Sequence, residues 1–416
     1  MRDRTGAHAR DRSALALGLF RTPSAYGAVA WIAWFFAYET RLIPWEPTSA
    51  EGYVACLATI VAFVVSATLH ARSYVGLPEA SATASERGVP PSFLAVLHLV
   101  GVLGLAIYLR DYAAAVGGIG VFFALLAGAS DTLRGSAGNI TSPGIQISYI
   151  GWLAVGLTTY EVACGRRSRW WHGVSLLQAV GNLLFIDRTR PFSILFTAAL
   201  LWIVGRPGLS PRRLALSALA MVAGGLAVYL SIALWVGKLQ FGGGSGSLPP
   251  VVESVLSYGT GGFAYFSRIV GSGEAPALTL ERTLYPLFKA LSALDLAAPP
   301  PNQVNEFYFM PIPTNVGTFL EPFYRDGGWP FVVVGIVLHS VLFDQIGLRL
   351  LRTAEPFAMY AWSTLCFTNA IGFFTPKINN LPVWLFLGAA AAALVLRDLM
   401  RRSPRAVALL TADRST

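Results

Sequence analysis

The chain has 416 residues, 54% of them apolar and 13% charged, with a mean hydropathy of +0.56, which excludes an ordinary soluble globular protein. Its net charge of +9 would suggest nucleic acid in a soluble chain, but most of the arginines sit in short connections between apolar runs. There they set orientation in a membrane, so nucleic acid is not an expected partner. The three cysteines, Cys56, Cys164 and Cys366, lie far apart in apolar runs and form neither a disulfide framework nor a Cys-x-x-Cys metal site.

The N-terminus is basic from Arg2 to Arg12, but the apolar stretch 14–20 is short, is interrupted by Arg21 and has no small-residue cleavage site. The first span, from about Ala25, is therefore expected to be an uncleaved anchor. Runs of membrane-spanning length follow at 24–43, 51–70, 91–109, 112–129, 143–164, 171–187, 190–206, 212–237, 329–350, 355–375 and 380–397. The N-terminal arginines and the C-terminal Arg397, Arg401, Arg402 and Arg405 both predict a cytoplasmic end, so the number of crossings must be even. Run 112–129 is the one to demote. It is short, glycine-rich (Gly117, Gly118, Gly120, Gly128) and followed by Ser130, Asp131 and Arg134. Residues 112–134 then form an interfacial or re-entrant helix on the outer face.

The expectation is an all-α, polytopic membrane helix bundle of about ten transmembrane helices. Residues 1–237 hold the N-terminal spans, 238–328 a large external loop, and 329–416 the last spans and a basic tail. This puts Arg166, Arg167, Arg169, Arg206, Arg212, Arg213, Arg349 and Arg352 inside. Glu39, Glu46, Glu51 and the long loop fall outside. No internal repeat is visible, which weakens a transporter reading, and Asp344 is the main charge within a span.

Three places carry candidate chemistry. The turn Asp187-Arg188-Thr189-Arg190-Pro191 opens outward although it is basic, so Arg188 and Arg190 ask for an anionic partner. Guanidinium groups hold phosphate bidentately. Pairing with Asp187 or with lipid headgroups is the bland alternative. Gln178 and Asn182, nearby and four residues apart, read as interhelical hydrogen-bonding groups. In the external loop, 242–247 is linker material, while 251–269 (Glu253, Arg268) and 278–296 (Glu281, Arg282, Lys289) show helical spacing. Two amphipathic helices against the bundle mouth are expected there, as cover or as part of a site. The third place is 313–328, where Asn315, Thr318, Glu321, Tyr324, Arg325 and Asp326 gather amide, hydroxyl, carboxylate, phenol and guanidinium groups ahead of a span. His8, His70, His98, His172 and His339 have no ligand spacing, and no Asp-x-Asp, Walker loop or Gly-x-Ser-x-Gly occurs. Neither a metal nor a cofactor is expected.

Asn315, Val316, Thr318 and Phe319, followed by Tyr324, Asp326 and Gly328, resemble a pattern of the O-antigen (oligosaccharide repeat unit) polymerases, Asn-Val-x-Thr-Phe and then Tyr-x-Asp-x-Gly just before a transmembrane helix. Gly317 departs from the aromatic common at that point. The resemblance implies a GT-C-like glycosyltransferase of the bacterial inner membrane. It would polymerise undecaprenyl-diphosphate-linked repeat units at the periplasmic face, with membrane lipids around it and a chain-length regulator protein as a candidate partner. Arg188, Arg190 and Arg268 would meet the diphosphate, and Arg282 is a further candidate for substrate binding. Asp326, Glu321 or Glu306 would accept the proton of the attacking hydroxyl. Asn315 and Tyr324 would orient sugar hydroxyls or the loop itself, and Arg325 is a further candidate for substrate binding. Asp326 has a competing structural role, as cap of the helix beginning near Trp329 or as partner of Arg325. The alternatives are an O-antigen ligase, for which a histidine base is expected in 238–328 although none occurs there, and a lipid-glycan flippase, for which charges should line the bundle interior.

Overall fold

The computed structural model describes residues 14–75, 77, 88–128, 133, 140, 142–185, 189–206, 210–235, 248–303 and 305–402. In chain order the helices are α1 (Pro23–Glu39), α2 (Ala50–Val75), α3 (Pro91–Ala115), α4 (Ile119–Gly128), α5 (Pro143–Ala163), α6 (Trp171–Gly181), α7 (Thr189–Val204) and α8 (Pro211–Trp235). Then follow α9 (Pro250–Gly271), α10 (Tyr285–Ala293), α11 (Leu320–Val337), α12 (Phe343–Thr353), α13 (Pro356–Ile371) and α14 (Leu381–Arg402). Two short strands, β1 (Tyr308–Phe309) and β2 (Pro313–Thr314), pair antiparallel with Tyr308 opposite Thr314. Among the described residues four runs are long and apolar enough to cross a membrane: α2, α3, Leu320–Thr353 and Leu381–Leu399.

Contacts sort the helix ends into two groups. At one end the α1–α2 connection meets α9. Trp45 Nε1 donates to Thr260 Oγ1 (2.9 Å), Ser49 N donates to Ser267 Oγ (2.6 Å), and Arg268 pairs with Glu46 (3.2 Å). At the other end Arg21 donates to the Tyr74 carbonyl (3.3 Å), Trp362 Nε1 donates to the Arg21 carbonyl (2.8 Å), and Arg397 pairs with Glu355 (3.5 Å). Tyr160 reaches the Ala354 carbonyl (3.5 Å), which brings the Glu161–Arg166 pair to this same end. The second end is therefore rich in arginine. The first holds the acidic connection and the whole of 250–328, and is called the loop end below.

Among the described residues three apolar clusters hold the bundle, one from α5, α7 and α13, a second from α1, α2, α9 and residues 319–324, and a smaller third from the end of α3 with Phe122 of α4. Trp31 anchors the second, with Phe263 and Phe319 edge-on at 5.3 and 5.4 Å. Asp344 is a tie between helices. Its carboxylate accepts from Ser24 N (2.8 Å), Ser24 Oγ (2.5 Å) and Ser66 Oγ (2.6 Å), so a buried charge on α12 is satisfied by α1 and α2. His339 likewise meets Asn369 at 3.0 Å.

Two sequence boundaries shift. Run 112–129 is split, because α3 continues to Ala115 and Gly117 and Gly118 turn the chain at positive φ. α4 has ten residues, about 15 Å of rise, half of a hydrocarbon core. Its Phe122 folds back on Tyr112 at 5.1 Å. The expected helix 278–296 shortens to α10, with turns before it. The expected helix 251–269 exists as α9, but its second half is almost wholly buried against α1 and α2 and is no mere cover. A Cβ at Gly259 would lie 1.9 Å from the Trp34 ring and one at Gly262 2.3 Å from the Phe373 carbonyl, so only glycine permits this approach.

Candidate functional site

The span expected at 329–350 begins earlier than its hydropathy suggests, and that shift builds the site. Helical structure starts at Leu320, fixed by Phe319, whose N–H donates to the Gly372 carbonyl (2.7 Å) and whose ring stacks on His339 (4.0 Å). It breaks at Gly328 (φ 65°, ψ −152°), a conformation essentially confined to glycine. Pro330 then fits the first turn of the resumed helix. The break deprives the Arg325 and Asp326 carbonyls of helical partners. The chain leaving α9 takes them, with Ala277 N donating to Arg325 O (2.8 Å) and Thr279 N to Asp326 O (3.0 Å).

The Asp326 carboxylate, fully buried, completes this clamp. Oδ2 accepts from Thr283 N (2.7 Å), and Oδ1 accepts from Arg282 N and Thr279 Oγ1 (both 3.3 Å). It thus caps the turn ahead of α10, rather than the helix at Trp329 or the Arg325 guanidinium. The strap 277–283 is locked to 325–326, and Arg282 is delivered to a cavity at the loop end.

That cavity measures about 70 Å³ and opens to solvent at its mouth. It is lined by Arg282 and Tyr285, by the motif from Asn315 to Pro322, by Pro301, Asn302, Gln303 and Asn305, and by residues of 375–380, which connect α13 to α14. Glu321, 3% exposed, is its one carboxylate. Oε2 accepts from Asn305 Nδ2 (3.2 Å), and Oε1 lies 2.7 Å from Arg325 Nε. The Arg325 N–H points off this line, so the contact is an ion pair rather than a directed hydrogen bond. Arg325 also holds Glu274 (3.0 Å). Arg282, in contrast, makes no side-chain hydrogen bond or ion pair among the described residues. Burial raises the Tyr285 phenol above its ordinary value, which keeps it a proton donor. A Cβ at Gly317 would meet Glu321 Cβ at 2.8 Å, so an aromatic at that position would displace the carboxylate.

The remaining lining is mostly amide: Asn302, Gln303, Asn305, Asn315, Asn379 and Asn380. Such a wall offers donors and acceptors side by side without charge, which suits vicinal hydroxyls, while Arg282 suits an anionic group. Among the described residues no three His, Cys, Asp or Glu side chains come together as metal ligands.

Of the residues singled out from sequence, the cavity gathers Arg282, Asn315 and Glu321, with Arg325 and Asp326 as its braces. Tyr324 is instead core, edge-on to Phe266 (6.1 Å) and Trp329 (5.2 Å). Glu306 is exposed and does not line the cavity; its carbonyl accepts from the Tyr265 hydroxyl (3.3 Å). Arg268 is exposed and tied to Glu46. Arg190 lies over the Tyr149 and Trp152 rings (5.3 and 5.9 Å), and Arg188 lies outside the described residues. Arg190 shares the loop end with the cavity, since Trp152 also packs on Phe386 (6.3 Å), six residues beyond Asn380 on α14.

Sequence reasoning passed over Tyr285, Asn302, Gln303, Asn305, Asn379 and Asn380. The available signal was Thr375-Pro-Lys-Ile-Asn-Asn380, a polar, proline-framed connection between two apolar runs. Compared with protein-family models, with curated proteins and with solved structures, the chain matches none.

Proposed function

We propose that this chain is a glycosyltransferase that polymerises undecaprenyl-diphosphate-linked oligosaccharide repeat units at the periplasmic face of a bacterial inner membrane. One observation carries the reading. The segment that resembles repeat-unit polymerases forms a wall of an amide-lined cavity at the mouth of an apolar bundle, with one carboxylate and one uncommitted guanidinium inside. In the reaction an acceptor sugar hydroxyl attacks the anomeric carbon of the donor. The new C–O bond forms as the bond to the diphosphate breaks, and the diphosphate leaves with its electron pair. Arg282 stabilises the charge that develops there, and Glu321 takes the hydroxyl proton. Arg325 and Asn305 hold Glu321 in place. Arg190, at the same end, meets the lipid diphosphate as it approaches through the membrane surface, and Arg188, two residues before it in sequence, is proposed to act with it. Ten crossings with both termini cytoplasmic fit the concentration of arginine at the opposite end.

The test is the glycan ladder of a deletion strain complemented with variants. The deletion is expected to leave single repeat units on the lipopolysaccharide core. Arg282→Ala, which breaks no hydrogen bond or ion pair among the described residues, is expected to lower polymerisation about 100-fold at matched protein level. A core without any glycan in the deletion strain would instead mean ligation or flipping.

A further inference from the structure

Residues 276–294 run from one apolar span to another. At the start Pro276 packs at Gly328, where a Cβ would lie 3.1 Å from Pro276 Cγ, and the N–H groups of Ala277 and Thr279 hold the Arg325 and Asp326 carbonyls. In the middle Arg282 and Tyr285 line the cavity, and α10 then touches α14. The level of the start is set by α11. Residues 320–328 are buried or half-buried, and from Trp329 an exposed apolar stripe follows, Val333, Val334, Val337, Val341 and Leu342. Exposed Arg349 lies twenty residues beyond Trp329, about 30 Å at helical rise, which is the thickness of a hydrocarbon core. Trp329 thus marks the hydrocarbon boundary at the loop end, a level where tryptophan concentrates, and Pro276 adjoins it.

At this level the chain displays leucine. Leu278 is 82% exposed and sits at φ 54°, its backbone fixed by the hydrogen bonds of residues 277 and 279. A left-handed backbone is costly for leucine, and so exposed a side chain gains no packing within the chain in return. Leu280 is exposed as well. On α10, Leu287 and Leu294, seven residues apart, share a face and are both exposed, whereas Tyr285 and Lys289 lie on the opposite one. An apolar set of this kind is unfavourable in water and favourable in the interfacial region of a bilayer.

We infer that residues 277–294 are a membrane-surface anchor whose Leu278, Leu280, Leu287 and Leu294 insert into the lipid leaflet at the loop end. The partner is lipid because the segment is tied at one end to the span Leu320–Thr353, where its exposed stripe begins, and at the other to the span Leu381–Leu399. Lipid that covers those spans reaches the leucines between them. The anchor holds Arg282 and Tyr285, which fall between its two pairs of leucines, at the level of the headgroups. It concerns how the cavity sits in the bilayer and does not depend on the transferase reading.

Fluorescence quenching by acyl-chain-brominated phosphatidylcholine tests this. The full chain is labelled with a maleimide fluorophore at an added cysteine, Leu278→Cys, Leu287→Cys or Leu294→Cys, and reconstituted in phosphatidylcholine vesicles at low protein-to-lipid ratio. Val334→Cys on the exposed stripe is the reference, Lys289→Cys the opposite face of α10, and the unsubstituted chain, with its three native cysteines, the labelling blank. All three anchor positions are exposed, so cysteine there removes no packing, and melting curves in detergent verify folding. Quenching at the anchor positions is expected to reach about half or more of that at Val334→Cys, and at Lys289→Cys about a quarter or less. Quenching at Leu278→Cys and Leu294→Cys as weak as at Lys289→Cys overturns the inference. Blue-shifted emission there without bromolipid quenching also overturns it, because protein would then cover the leucines, a second copy if the shift fades on dilution in lipid.

Discussion

Glu321 and Asp326, five residues apart, are both buried, and their partners separate them. Asp326 is saturated by two backbone N–H groups and one hydroxyl and lines no part of the cavity, whereas Glu321 faces it. Asp326→Asn keeps one acceptor oxygen but turns an NH2 toward a backbone donor, a loss of about 1 kcal/mol; Asp326→Ala strands both N–H groups and costs about 2–3 kcal/mol. Thermal melts in detergent are expected to rank wild type, Asn and Ala in that order, and Asp326→Asn is expected to polymerise normally at matched protein level. A well-folded but inactive Asn variant would show that this carboxylate touches substrate. A structural role for Asp326 was expected from sequence, at the helix near Trp329 or on Arg325; its actual partners were not, because Thr279, Arg282 and Thr283 reach it only after the chain has folded back over more than forty residues.

The break at Gly328 matters at the scale of the element, since it frees the carbonyls that hold the strap carrying Arg282. Alanine there is strained by about 1–3 kcal/mol and would also place a Cβ 3.1 Å from Pro276 Cγ. Gly328→Ala is expected to lower the melting temperature and to shorten the glycan ladder by loosening that wall. Gly224→Ala in α8, where an added Cβ meets nothing within 4 Å, is the matched control and should leave both unchanged. Hydropathy located the helices well, because apolar runs of this length have few alternatives in lipid. It placed the last-but-two span at 329 rather than at Leu320, because Glu321, Arg325 and Asp326 look like loop until Asn305, Glu274 and the strap satisfy them. It also passed over 375–380, a connection whose role comes from the cavity it lines.

Across the whole molecule, the two ends of the bundle differ in charge, and this ties orientation to chemistry. The arginine-rich end collects Arg21, Arg166, Arg352 and Arg397. The loop end collects the acidic α1–α2 connection, α4, α9, α10 and the cavity. Cationic residues stay on the cytoplasmic side when spans insert, so the cavity should open to the periplasm, the face on which a lipid-linked glycan would be lengthened. The two glycines ahead of α4 and the turn after α9 are surface positions at the loop end, and Gly165 and Arg206 are turns at the other. Alkaline phosphatase fused after Gly118 or Gly273 is expected to be active, and after Gly165 or Arg206 inactive. Fluorescent-protein fusions are expected to give the reverse pattern. An active phosphatase after Gly165 would place an odd number of crossings before α6 and turn the arginine-rich end outward. Such a result would remove the cavity from the periplasm and the polymerase reading with it, whatever the ladder of the deletion strain looked like.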